Sequence, residues 1–401
     1  MKQSFANIVS FLFCACSGLS AETPKYGGEL RVPMATDITS FDPARCYINP
    51  GINFVRLCYV GLVDYDEGTT ILPRLAQSWE IRDGKNYIFK LDPAARFPNG
   101  RTITATDYIY SFERSLSGTM NCPGGFLYSG IVGINEFREG KASAIAGVSA
   151  RGDFELQISL QQTDPTFLYK MAMPFVAPVC REIAELLGGH LDAISAGAGP
   201  MHLKRYVRGS EMLLERNAFM NPRTDVYVDR LRVLIGSDET VHQMMFENGE
   251  LEIANVMRGI VPTQITRVRK NPRLARGLES APFGNIFFVA LNTEVSPFNN
   301  KLVRKAFNYG INKTRLIEKS HGMETAVPGL IPPSLPGFNT NLVGYPYDPE
   351  KARALLREAG YANGCSTTMW VGNDEDRLAA FAQMMQRDLA DVGINVQVKV
   401  V

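Results

Sequence analysis

The end of the chain constrains its fold most. Asp348 and Pro349 open a stripe of Ala352, Leu355, Leu356 and Ala359, and Gly360 closes it. Asp caps a helix, Pro fits its first position, and Gly ends it, so a helix is predicted here. A strand follows in "TTMWVG", then a helix from about Arg377 to Val392 that stops at Gly393. Ile394, Val396, Val398 and Val400 then alternate with Asn395, Gln397 and Lys399, the pattern of a strand. Strand, helix, strand in that order predicts a βαβ unit, and a right-handed crossover makes its two strands parallel.

The rest of the chain mixes hairpins with helices, which makes it an α/β protein. Leu30 and Val32 mark a first strand, and a turn-rich loop, "ATDITSFDPARCYINPG", follows. Trp79 and Ile81 precede an Asp83-Gly84 turn, with Tyr87, Phe89 and Leu91 after it, a hairpin. Thr104 with Asp107 three residues on reads as a helix N-cap before Tyr108, Ile109, Phe112 and Leu116 at helical spacing. A second hairpin carries Phe154, Leu156, Ile158 and Leu160, and a third turns at Arg208-Gly209-Ser210 after Gly199-Pro200. "DETVHQMMFENGELEIA" predicts a helix ending near Gly249 and then a short strand. "GNIFFVALNT", apolar on both faces, predicts a central strand. "NNKLVRKAFNYGI" predicts an amphipathic helix burying Leu302, Val303, Ala306 and Phe307.

Composition excludes several functions. With 401 residues, 45% hydrophobic and 21% charged, the chain is globular and long enough for two or three packed units. Its 42 basic and 41 acidic side chains leave a net charge of +1, and no block of like charge stands out. Nucleic-acid and membrane-surface roles therefore receive no electrostatic support. Lys2, the apolar run "IVSFLFCAC" and the small residues of "SGLSAET" read as a secretory signal. Two processing readings stay open: cleavage after Ser20 or Ala21, or acylation of Cys16. Cys46, Cys58, Cys122, Cys180 and Cys365 remain in the mature chain with no CxxC pair, and both buried thiols and disulfides fit them.

Catalytic patterns are missing. The sequence has no HExxH, GxSxG, P-loop or GxGxxG. His190, His202, His242 and His321 are dispersed, so no metal site and no cofactor are predicted. Asp37 and Asp42 lie where turn chemistry explains them. An exported chain without a catalytic constellation points to binding.

Several stretches, in order, resemble one family. "GGELRVPMATDITSFDP", "YVGLVDYDEGTTILPRLAQSWEIRDGKNYIFKL", "GAGPMHLKRYVRGSEMLLERNAFM", "NNKLVRKAFNYGINKTRLIE" and "YDPEKARALLREAGY" are similar to segments of the peptide- and nickel-class solute-binding proteins of ABC importers. Ala198, Met201 and Met220 depart from the Thr, Tyr and Trp usual in the third stretch. The resemblance is closest to the oligopeptide-binding branch, on "GINEFREGKASAIAGVSARGDFELQISL".

That resemblance implies a two-lobed α/β periplasmic-binding-protein fold of the class II type. Residues 22–59 and 181–284 would form lobe I, 60–180 an extra domain, and 285–401 lobe II, with 1–21 removed. It implies a periplasmic monomer that captures oligopeptides between its lobes and hands them to membrane permease subunits. Binding there uses main-chain pairing and watery pockets. By position, Cys46, Tyr47, Ile48, Asn49, Asn255, Phe283, Asn285 and Phe287 would line the cleft. Receptors for dipeptides, nickel chelates, haem or oligosaccharides, and a peptide-sensing role without transport, share the scaffold and stay open. Family members continue past the equivalent of Val401, so the chain is expected to stop inside an incomplete lobe II and to bind peptides poorly as written. The family's acidic partner for a peptide amino group would lie beyond that point.

Overall fold

The computed structural model describes residues 25–49, 51–66, 69–220, 226–255, 260–281, 284–372 and 376–401. The expected signal, 1–21, lies outside them. By internal contacts the chain divides into two compact units, one ending at Val261 and the other beginning at Pro262.

The first unit holds ten strands among its described residues: β1 Glu29–Met34, β2 Val63–Tyr65, β3 Ile71–Pro73, β4 Ala76–Arg82, β5 Asn86–Leu91, β6 Val148–Ala150, β7 Glu155–Ser159, β8 Met201–Val207, β9 Glu211–Arg216 and β10 Arg230–Ile235. They make two four-stranded sheets, ordered β1-β10-β9-β8 and β4-β5-β7-β6, and a β2-β3 ribbon. β1 lies parallel to β10, with Leu30 opposite Leu231 and Val32 opposite Val233. The β4-β5 hairpin forms at Asp83-Gly84, both with positive φ (53° and 66°), the geometry of a tight hairpin turn. Helix Ala105–Leu116 begins where expected: the Asp107 carboxylate accepts the Thr104 backbone N–H at 2.8 Å. It buries Tyr108, Phe112 and Leu116 in a single core that reaches from Val32 and Phe41 to Leu231 and Val233.

The second unit packs helices Lys301–Gly310, Pro349–Glu358 and Asp376–Asp391 around β11 Cys365–Val371 and β12 Ile394–Val400. β11 and β12 are parallel, in register from Cys365 with Ile394 to Val371 with Val400, as the βαβ reading requires. Asp348 caps its helix by accepting the Lys351 N–H at 2.9 Å. Two expected strands do not form. Described residues 284–292 carry no strand, and Phe287, Phe288 and Val289 are exposed. Residues 251–255 after helix Glu239–Glu247 carry none either. A strand is defined by its neighbour, and apolar content in a window cannot supply one.

Two packing constraints set the frame. Gly199 sits against the end of helix Gly51–Cys58, donating its N–H to Cys58 O at 2.8 Å. A Cβ on Gly199 would lie 2.2 Å from Leu57 O. The second is an ion pair out of water. Asp42 and Arg114 have side chains 3% and 8% exposed, and Arg114 Nη1 lies 3.0 Å from Asp42 Oδ1 while Nη2 bonds Oδ2. Burial alone would lower the Arg114 pKa, but the Asp42 hydrogen bonds and charge outweigh it and the pKa is raised.

The chain's two tryptophans, Trp79 and Trp370, fall one in each unit, so a Trp370→Phe background makes fluorescence report the first unit alone. In urea titrations, Gly199→Ala is expected to cost about 3 kcal/mol through overpacking. Gly209→Ala, with open space around it and φ at 69°, is expected to cost only about 1 kcal/mol. Equal losses would mean that close approach is not what selects Gly199. Asp42→Asn leaves Arg114 buried without its counter-charge and is expected to cost about 3 to 5 kcal/mol. Arg82→Ala, which removes an ion pair to Glu80 with both side chains more than half exposed, is expected to cost under about 1 kcal/mol.

Candidate ligand-binding site

The loop from Asp37 to Asn49 is held by three carboxylates. Asp37 Oδ1 accepts the Ile38 N–H (2.8 Å) and the Tyr206 hydroxyl (2.7 Å), and its Oδ2 accepts the Gly209 N–H (2.7 Å). Asp192 Oδ1 accepts from the Ser40 hydroxyl (2.7 Å) and the Phe41 N–H (2.6 Å). Asp42 accepts the Ala44 N–H at 2.9 Å besides binding Arg114. The turn roles read for Asp37 and Asp42 are thus present, together with long-range bonds that the sequence reading missed. A signal for one of them existed: Arg114 stands between Phe112 and Leu116 on a helix that buries both, and a cation so placed needs a partner.

On this footing the loop turns three consecutive side chains outward. Tyr47 is 48% and Ile48 63% exposed, and Asn49 is exposed too. The Tyr47 ring stacks on Phe175, centroids 6.0 Å apart at 27°. Ile48 O accepts the Ile52 N–H at 3.2 Å, which runs the loop directly into helix Gly51–Cys58. Cys46 does the opposite. Its side chain is fully buried, and burial, with the charge of Asp192 adding to it, pushes the thiol pKa up to about 12. Its backbone N–H goes to Asp42 O at 3.0 Å. With the whole residue buried and its N–H bonded, Cys46 presents neither side chain nor main chain at the loop surface. Asn255, in the same unit, is half-buried.

The remaining expected residues belong to the second unit. Asn285 is exposed, with Oδ1 accepting the Ile286 N–H at 2.9 Å. Phe287 is 47% exposed and carries the Arg377 guanidinium 4.8 Å above its ring. Arg377 also pairs with Glu324. Phe283 lies outside the described residues. So the first unit brings Tyr47, Ile48 and Asn49 together at one surface, and the second presents Asn285 and Phe287 on an exposed, extended segment. An open depression on β11 and β12, lined by Ser366, Thr368, Gln386, Asn395 and Gln397 among others, includes none of the expected residues and no charged group.

Cys46, Cys58, Cys122, Cys180 and Cys365 are all free thiols, and burial raises the pKa of each. Among the described residues no group of three or more His, Cys, Asp or Glu could hold a metal ion. No helix among them is long and apolar enough to cross a membrane.

The profile of the family described as bacterial extracellular solute-binding proteins, family 5, middle region, matches residues 70–401. The Haemophilus influenzae heme-binding protein A is 30% identical over 365 residues, covering 84% of this chain and 63% of that protein. The Escherichia coli dipeptide-binding protein is 30% identical over 361 residues, covering 85% of this chain and 65% of its own length. The chain thus spans less than two thirds of either relative. Among solved structures, the periplasmic binding protein DppA from Helicobacter pylori, in complex with the peptide STSA, is 26% identical with a TM-score of 0.75, over 94% of this chain and 74% of that one. The clavulanic acid biosynthesis oligopeptide binding protein 2 has a TM-score of 0.84 at 24% identity, over 100% of this chain and 75% of that one, a likeness of fold. The α/β periplasmic-binding-protein fold expected from the sequence is the fold of these proteins. With its matched segment running from residue 70 to 401, the chain belongs to the bacterial extracellular solute-binding proteins of family 5.

Proposed function

We propose that the chain captures short peptides outside the cytoplasm for an ABC importer and delivers them, as a monomer, to permease subunits in the membrane. The family match over residues 70–401 carries this reading, and the name of the Escherichia coli relative at 30% identity supports it. In this proposal lobe I comprises 22–59 and 181–284, the extra domain 60–180, and lobe II starts at 285. Pairing of β1 with β10 supports the first assignment, because it joins the chain's beginning to its return. The separate sheet β4-β5-β7-β6 supports the second. Residues 262–281 and 284 have their contacts with the second unit and pass in this reading to lobe I.

The ligand's main chain would meet the loop at Tyr47, Ile48 and Asn49, with the buried Cys46 seated beneath them. Asn255, Phe283, Asn285 and Phe287 would complete the lining. Tyr47, Ile48 and Asn49 are neutral, with Arg45 the loop's one exposed charge, and a largely neutral surface suits ligands that vary in charge. Peptide binding between main-chain groups needs this tolerance. A second reading has an observation of its own: the heme-binding protein A of Haemophilus influenzae is equally similar, at 30% identity.

Calorimetric titration with mixed di- to pentapeptides, alongside haem titration followed by visible absorption, separates the two readings. Peptide heat without a haem band supports the first; a haem band without peptide heat replaces it. In the peptide titration, Tyr47→Ala with Asn49→Ala is expected to weaken affinity about tenfold, or ~1.4 kcal/mol. The melting temperature should barely move, because both side chains are exposed. Undiminished affinity takes this pair out of the site.

Export is part of the proposal. N-terminal sequencing of the protein secreted from a competent host should begin near Ala21 or Glu22. A chain beginning at acylated Cys16 would make it a lipoprotein, and an intact Met1 would refute export.

A further inference from the structure

The even overall charge conceals one exception. Between Pro262 and Leu278 the chain carries Arg267, Arg269, Lys270, Arg273 and Arg276 and no acidic residue. The segment forms two short helices, Pro262–Lys270 and Pro272–Ala275. Asn271 joins them, its Oδ1 accepting the Arg273 N–H at 3.0 Å and the Leu274 N–H at 3.4 Å. Ile265, Val268 and Leu274 are buried beneath, and all five cations are exposed.

Many arginines elsewhere are answered by carboxylates, among them Arg31 by Glu252, Arg114 by Asp42, Arg232 by Glu29 and Glu211, and Arg315 by Asp388. Here Arg269, Lys270, Arg273 and Arg276 have no ion pair among the described residues. Arg267 Nε is held by Gln264 Oε1 at 2.8 Å. A helix dipole favours cations in a last turn, which accounts for one or two of them. It does not account for a run of five without one acid between them.

We propose that residues 264–277 form a docking surface for an anionic phospholipid membrane. No large apolar side chain in this stretch is exposed. A stable protein partner normally needs an apolar or aromatic centre to the contact, and this surface offers none. A plane of phosphate headgroups needs no such centre. It attracts each Lys or Arg that comes within a Debye length, whichever side of the helix it projects from. The inference does not rest on the peptide reading, and peptide titration of the same variants keeps the two separate.

The test is flotation of the purified chain with vesicles of phosphatidylglycerol and phosphatidylcholine, against vesicles of phosphatidylcholine alone. Binding should require phosphatidylglycerol and should vanish in about 1 M salt, where the Debye length is ~3 Å. Arg269→Glu, Lys270→Glu and Arg273→Glu together should weaken it about a hundredfold or more. Arg269→Lys with Arg273→Lys, which keeps the charge, should bind as the parent does. Circular dichroism checks that the exposed substitutions leave the helices intact. Equal binding to both vesicles, unchanged binding after charge reversal, or capture by immobilised polyglutamate without capture by phosphatidylglycerol would overturn the proposal. The last result would assign the surface to an acidic protein.

Discussion

Asp42 and Arg114 are 72 residues apart in sequence and meet out of water. Such a pair adds little net stability, since desolvating both charges offsets most of their attraction. Its effect is on geometry, because neither charge tolerates any other arrangement once buried. Asp42 fixes the loop that carries Tyr47 and Asn49, and Arg114 belongs to the helix that fills the core with Tyr108, Phe112 and Leu116. Asp192 and Asp37 then fasten the same loop at Phe41 and at Tyr206. A loop of turn residues becomes a rigid platform because the groups that hold it come from three distant parts of the chain.

The features that were legible in the sequence are local ones. Asp83-Gly84 forms its hairpin because both residues accept positive φ, and this needs no distant partner. Asp348, Pro349 and Gly360 bound a helix by chemistry within one turn. The parallel pairing of β11 with β12 was readable because one 16-residue helix makes the connection and crossover handedness leaves one choice. Residues 284–292 failed for the matching reason. Their apolar run satisfies every local criterion for a central strand, yet a ladder is a property of two segments, and no described neighbour bonds to this one.

The candidate site divides along the same line. Tyr47 and Asn49 were placed by their position after the Asp42-Pro43 turn, and they do face outward. Cys46, one residue earlier, faces inward, and the sequence held no sign of that inversion. Gly51 packs against it so closely that an added Cβ would lie 3.3 Å from Cys46 Sγ. That contact depends on how the chain turns through the loop, which is set by the three carboxylates and not by the residues alone.

Charge is distributed with a consequence for recognition. The carboxylates that hold this loop are turned toward it, where they position backbone and a cation: Asp42 on Arg114, Asp192 on Phe41, Asp37 on Gly209. Of what faces outward, Tyr47, Ile48 and Asn49 carry no formal charge, and Arg45 is the loop's one exposed charge. A charged group at that surface would attract some ligands and repel others by several kT, making affinity depend on ligand sequence. Turning the carboxylates inward reduces this bias while keeping the loop stiff, and a stiff loop loses less entropy when a ligand orders it. Under the proposed reading, breadth of recognition and rigidity of the platform therefore have one origin, the enclosure of Asp42 with Arg114.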